Sequence, residues 1–166
     1  KNGALKRLKA TPITAFEYLC SQMLSRIFLL MFTLVVVWLG CDFLFSFTVL
    51  GSYLDLILVF FLGSTSLTAL GLVLASRGTS EEFTTGILNF ISWPMMFLSG
   101  VWFSLEGLHG WVQALAQLLP LTHLIAACRA IMIDGAGLAE VSGQIAALLT
   151  MTLIFLAIGS YSFRWQ

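Results

Sequence analysis

The chain has 166 residues, 59% of them hydrophobic and 10% charged, with a mean hydropathy of +0.98, which excludes an ordinary soluble domain. Its 8 Lys+Arg balance 8 Asp+Glu, so it lacks the basic excess that a nucleic-acid surface needs. Cys20, Cys41 and Cys128 are odd in number, show no CxxC spacing and sit in apolar sequence. They read as small hydrophobes rather than as a disulfide framework or a thiolate zinc site.

The opening segment is basic, with Leu5 and Leu8 three apart among Lys6, Arg7 and Lys9, the pattern of a short amphipathic helix on the membrane face. Thr11-Pro12 then offers an N-cap followed by Pro at the first helical position. Thr14 and Glu17 repeat the spacing of a capping box, so a helix is expected to begin near Pro12. Beyond it, the gaps between charged residues give the spans, because crossing about 30 Å of hydrocarbon takes about 20 apolar residues. Residues 24–45, 56–76, 83–105 and 141–163 satisfy that length. Arg26 at the edge of the first span can reach back to the head groups along its own stem.

Small residues in the second span form pairs four apart, Ser64/Thr68, Thr65/Ala69 and Gly71/Ala75, which allow close helix contact or a lined path. The turn at Thr79-Ser80-Glu81-Glu82 puts Thr79 at an N-cap with Glu82 three residues on. Pro94, midway along the third span, is expected to kink it. The connection 106–140 is too long for a plain loop. Leu108, Trp111, Leu115, Leu118 and Leu119 share one helical face there, Pro120 stops that helix, and a second one ends at Asp134-Gly135-Ala136-Gly137. The expectation is an interfacial helical hairpin.

Orientation follows from the basic residues, which are retained on the cytoplasmic side. Lys1, Lys6, Arg7, Lys9, Arg26, Arg77 and Arg164 share one side if both ends of the chain are cytoplasmic. Asp42, Asp55, Glu106, Asp134 and Glu140 fall on the other, with Arg129 as its only cation. The fold class is therefore all-α: a polytopic membrane bundle of four transmembrane helices with an outer-face helical hairpin and a cytoplasmic amphipathic helix, in one domain over residues 1–166.

Neither GxxxxGK[ST] nor GxGxxG occurs, so nucleotide phosphates have no cradle of either kind in this chain. Two enzymatic alternatives remain open. Ser99 with His109 or His123 has the residue types of a serine nucleophile and its base, although an intramembrane G-x-S-G pattern would need Gly where Phe97 stands. Glu106 and His109, i and i+3, with His123 as a third, have the residue types of a metal site. A third alternative is a membrane scaffold that transports nothing.

Three separated stretches carry a family resemblance. Gly3-Ala4-Leu5-Lys6-Arg7-Leu8-Lys9-Ala10-Thr11-Pro12 resembles the G-T-L-x-R-L-x-A-T-P segment of bacterial type 2 ABC exporter permeases, the drug and nodulation lipo-oligosaccharide exporter group. Pro94-Met95-Met96-Phe97-Leu98-Ser99-Gly100-Val101-Trp102-Phe103 resembles the family's P-x-x-F-L-S-G-x-x-F. Leu119-Pro120-Leu121-Thr122-His123 with Arg129 resembles its L-P-L-T-H-x-x-x-x-x-R, and Trp111 lies between these last two motifs.

The resemblance implies that this chain holds the last four of six spans of a permease in a bacterial inner membrane. It implies coupling to an ATPase through Leu5, Arg7, Leu8, Thr11 and Pro12, and a substrate path or gate at Pro94, Phe97, Ser99, Trp102 and Phe103. Trp111, Pro120, His123 and Arg129 would belong to the outer hairpin. The implied partners are an ABC ATPase subunit, which binds the ATP and Mg, a second permease subunit, most simply a like one, and membrane lipid. No cofactor is implied for this chain itself.

Overall fold

A computed structural model describes residues 14–46, 48–77 and 80–162. Among the described residues six helices follow in order: α1 (Ala15–Phe45), α2 (Tyr53–Ser76), α3 (Glu81–Leu98), α4 (Gly110–Gln117), α5 (Pro120–Ile133) and α6 (Ser142–Ser162). The described residues contain no strand. The expected amphipathic helix and the residues Leu5, Arg7, Leu8, Thr11 and Pro12 lie outside the described residues.

Local chemistry sets the helix starts. Thr14 caps α1 by accepting from the Glu17 amide at 3.2 Å, while the Glu17 carboxylate accepts from the Thr14 amide at 2.8 Å, a complete capping box. At α3 the cap is Ser80, accepting from the Phe83 amide at 3.1 Å. This is one residue later than the spacing from Thr79 to Glu82 suggested, and Thr79 itself is outside the described residues. Pro120 is the first residue of α5 rather than only the end of the helix before it, because its fixed φ suits a first turn and its missing N–H is not needed there.

Among the described residues three helices are long and apolar enough to cross a membrane: α1 from Phe16, α2 and α6. The stretch expected as a third span, 83–105, is helical only to Leu98. Ser99 takes the C-cap, its amide bonding to the Met95 carbonyl at 2.9 Å. Gly100 follows at φ +82°, a left-handed value that glycine adopts without strain and that ends helices. Helices α4 and α5 meet at 92°, and by length and composition the pair passes as a broken span or a re-entrant loop.

Helix α2 is the hub, packing against α1, α3, α5 and α6, with its most extensive contact to α6. A third of its apolar window is buried, against 6% for α1 and 17% for α6. Around its Tyr53 half, Leu56 and Val59 pack with Leu124, Ala127 and Ile131 of α5 and with Ala136 and Val141. Around its Ser76 half, Ala69 packs with Met23 and Ile27 of α1, and Phe155 and Leu156 of α6 close the cluster. The start of α1 and the end of α6 therefore meet the same half of α2. Asp134 caps α5, and Gly135 at φ +67° turns the chain so that the Ala136 amide reaches the Ala130 carbonyl at 3.0 Å.

Two glycines permit the contact between α2 and α5. A Cβ on Gly63 would sit 2.5 Å from Cδ1 of Leu124, which is itself buried, and a Cβ on Gly51 would collide with the Ile131 carbonyl oxygen. The adjacent Leu50 amide bonds to the Met132 carbonyl at 3.2 Å, pinning the α1–α2 connection to the end of α5. Polar groups fare unevenly in this interior. Thr65 and Thr152 donate to carbonyls one turn back, at 2.8 and 2.7 Å, whereas the buried hydroxyls of Ser66 and Thr122 have no partner.

These contacts set two expectations for thermal unfolding of the full-length protein in detergent. Gly51→Ala meets main chain that cannot yield and is expected to destabilise by about 1–3 kcal/mol or more, Gly63→Ala by less because side-chain tips can shift. Gly40→Ala, with nothing within 4 Å, should be neutral or stabilising by up to about 1 kcal/mol. Separately, Ser66→Ala and Thr122→Val each remove a buried unsatisfied hydroxyl and should raise the melting temperature, corresponding to about 1 kcal/mol. A fall in both would mean that the hydroxyls are satisfied in the membrane.

Candidate functional site

The chemistry-bearing residues gather where the end of α3, the loop 99–109 and the α4–α5 elbow meet. Helix α3 carries Pro94 inside it, exposed, and its aromatic residues Trp93 and Phe97 stack with ring centroids 6.3 Å apart and planes 27° apart. Phe97 is 48% exposed, and Trp102 and Phe103 about two-thirds exposed. Trp111, on α4, is likewise exposed. Ser99 is buried, and its hydroxyl donates to the Met96 carbonyl at 2.8 Å.

A few hydrogen bonds hold this loop in place. Arg129, on α5, donates through a terminal guanidinium nitrogen to the Gly100 carbonyl at 2.7 Å, a charge-assisted bond that links residues 29 apart in sequence. Gln113 of α4 donates to the Leu105 and Leu108 carbonyls at 3.0 and 3.2 Å. Gly107 supplies a second left-handed turn at φ +89°. At the elbow, His123 Nε2 lies 2.7 Å from the Gln117 carbonyl. Since a carbonyl only accepts, the proton is on Nε2, and the ring bridges the end of α4 to the first turn of α5. Pro120 at the corner is fully buried.

Of the residues singled out in sequence, the structure joins Gly100 of the Pro94–Phe103 motif to Arg129 of the motif that opens at Leu119, and puts His123 on the backbone of its own elbow. Ser99 and His123 are each bonded to a backbone carbonyl and not to one another. Among the described residues no group of three His, Cys, Asp or Glu side chains is arranged to hold a metal ion, so Glu106, His109 and His123 do not converge. Sequence reasoning missed Gln113, whose side chain holds two carbonyls of the loop. It also missed Gly100 as a helix stop, although a Gly just past an apolar helix is a known signal.

This architecture defines a multi-pass helical membrane protein whose polar contacts serve to position backbone. The ABC-2 type transporter family matches residues 1–133, and the chain belongs to that family. No curated protein and no solved structure matches it significantly. The matched region takes in everything through the end of α5, including the exposed aromatic residues and the elbow. Membership makes the chain a transport component of the membrane, not itself catalytic, of a kind that works with an ABC ATPase.

The latch has a direct test. Arg129→Met removes the donor and leaves the Gly100 carbonyl without its partner, which should cost about 1 kcal/mol of stability and raise amide hydrogen exchange in residues 100–108. Exchange within α6 serves as the internal reference and should not change.

Proposed function

We propose that this chain is part of the permease subunit of an ATP-driven exporter that moves an amphipathic drug, lipid-linked or oligosaccharide-type cargo out across a bacterial inner membrane. The observation that carries the reading is the family match over residues 1–133, and the link from Arg129 to Gly100 supports it by tying the aromatic end of α3 to the elbow. Two permease subunits, taken as identical, form the path between them. The ATPase subunits bind ATP and Mg, and their closure shifts the permease pair between arrangements that bind cargo with different affinity. The exposed Phe97, Trp102, Phe103 and Trp111 suit a cargo that is largely apolar. Both ends of the chain face the cytoplasm in this reading, in accord with the basic residues and with the start of α1 and the end of α6 sharing one end of the bundle.

In this scheme Leu5, Arg7, Leu8, Thr11 and Pro12 form the contact to the ATPase. The test is co-purification of the full-length protein with a candidate ABC ATPase, read together with cargo-stimulated ATP hydrolysis. Arg7→Glu combined with Leu8→Asp should abolish both while leaving the permease monodisperse. If association and hydrolysis survive unchanged, the opening segment is a membrane anchor and the coupling scheme fails. Activity lost on Ser99→Ala with assembly intact would instead favour an enzyme.

A further inference from the structure

Between α2 and α3 lies a cleft of about 240 Å³, walled by Leu67, Leu70 and Leu74 on one side and Leu88, Ile91 and Met95 on the other. Gly71 forms part of its wall, and no atom lies within 4 Å of where a Cβ on Gly71 would stand. The one polar side chain in the lining, Ser92, already donates its hydroxyl to the Leu88 carbonyl at 2.6 Å. A polar guest would find no partner there and would lose its own hydration, so the chemistry of the lining calls for hydrocarbon. From Leu67 to Leu74 the α2 wall runs about 10 Å along the helix axis, about a third of the hydrocarbon thickness.

A charge follows the last lining residue of α2. Arg77 is the C-cap of α2, three residues past Leu74 and thus about 4.5 Å further along the axis. It is exposed, and it is the only Lys or Arg between Arg26 and Arg129. A guanidinium presents paired donors that fit a phosphate.

We propose that this cleft holds one acyl chain of an anionic bilayer phospholipid, with the phosphodiester of its head group met by Arg77. Hydrocarbon gains little by leaving lipid tails for leucine side chains, because the two are equally apolar. The cleft therefore selects by shape, and Arg77 selects by charge. The site concerns α2 and α3 alone and does not depend on coupling to an ATPase.

The experiment uses full-length protein in nanodiscs of phosphatidylcholine doped with phosphatidylglycerol that carries a photoactivatable group on its acyl chain. Crosslinks should concentrate on residues 67–74 and 88–95. Arg77→Gln should lower the yield about fivefold, the preference expected of one basic residue near anionic lipid. A phosphatidylcholine probe should label the cleft weakly and should not respond to that substitution. Gly71→Leu, which places a side chain in open space, should abolish labelling of the cleft while the protein stays monodisperse.

Labelling spread evenly over the cleft and the exposed α1 residues Phe28 and Phe32, unmoved by either substitution, would overturn the proposal. So would equal labelling by both lipids. A disulfide between Leu70→Cys variants of two copies would assign the cleft to a protein contact and overturn it as well.

Discussion

The approach of α2 to α5 is the constraint on which the rest of the fold depends. Inside a membrane, helices gain nothing by hiding apolar surface from water, so association rests on shape and on how closely backbones can come together. Gly51 lets the chain lie against the Ile131 main chain, and Gly63 makes room for the buried Leu124 side chain. With α5 seated there, the Leu50 amide can reach the Met132 carbonyl, and Val141 at the entry to α6 joins the same buried cluster. The position of α5 in turn determines where the guanidinium of Arg129 can reach, and so where the chain beyond α3 must run.

Helix α3 is held differently. It packs less extensively on α2 than α1, α5 or α6 does, one side of it borders a cleft, and its far end is fixed through backbone hydrogen bonds to side chains of α4 and α5. The bundle thus combines a core of α2, α5 and α6, with the first half of α1, and a peripheral helix tethered at its end. Such a division lets the aromatic residues on α3 keep their relation to the elbow while the wall that helix shares with α2 stays adjustable.

Sequence conveyed the parts that depend on local chemistry. The Thr14–Glu17 capping box, Gly135 at the close of α5 and Pro120 at a helix boundary are written in neighbouring residues, because a cap is satisfied within one turn. The end of α3 was harder to read. Apolar residues continue past Leu98 to Phe103, and hydropathy alone carries the span through Gly100, whose left-handed φ decides the matter. The elbow is a related case: two helices were legible from periodicity, but the 92° between them depends on where Leu124 and Ile131 seat, which only the partner helix specifies. Likewise Gly71/Ala75 and Ser64/Thr68 look alike as spaced small residues, yet Gly71 borders the cleft whereas Ser64 is buried in the bundle. Which face of a helix meets a neighbour depends on its rotation, and the uniformly apolar sequence of α2 does not encode it. Among the site residues, the pairing of Gly100 with Arg129 had no sequence signal beyond the presence of both.

The length of α1 has a mechanical consequence. Its 31 residues make a rod of about 46 Å, well beyond the roughly 30 Å of hydrocarbon, with no proline to break it. Arg26 and Asp42 lie about 24 Å apart along it, and about 16 Å of helix precede Arg26. A rod of that length pivoting by about ten degrees about one end swings the other through about 8 Å. Leu19, Met23 and Ile27 hold the first half of α1 against the bundle, so a small tilt there would be magnified toward the exposed Phe45 end.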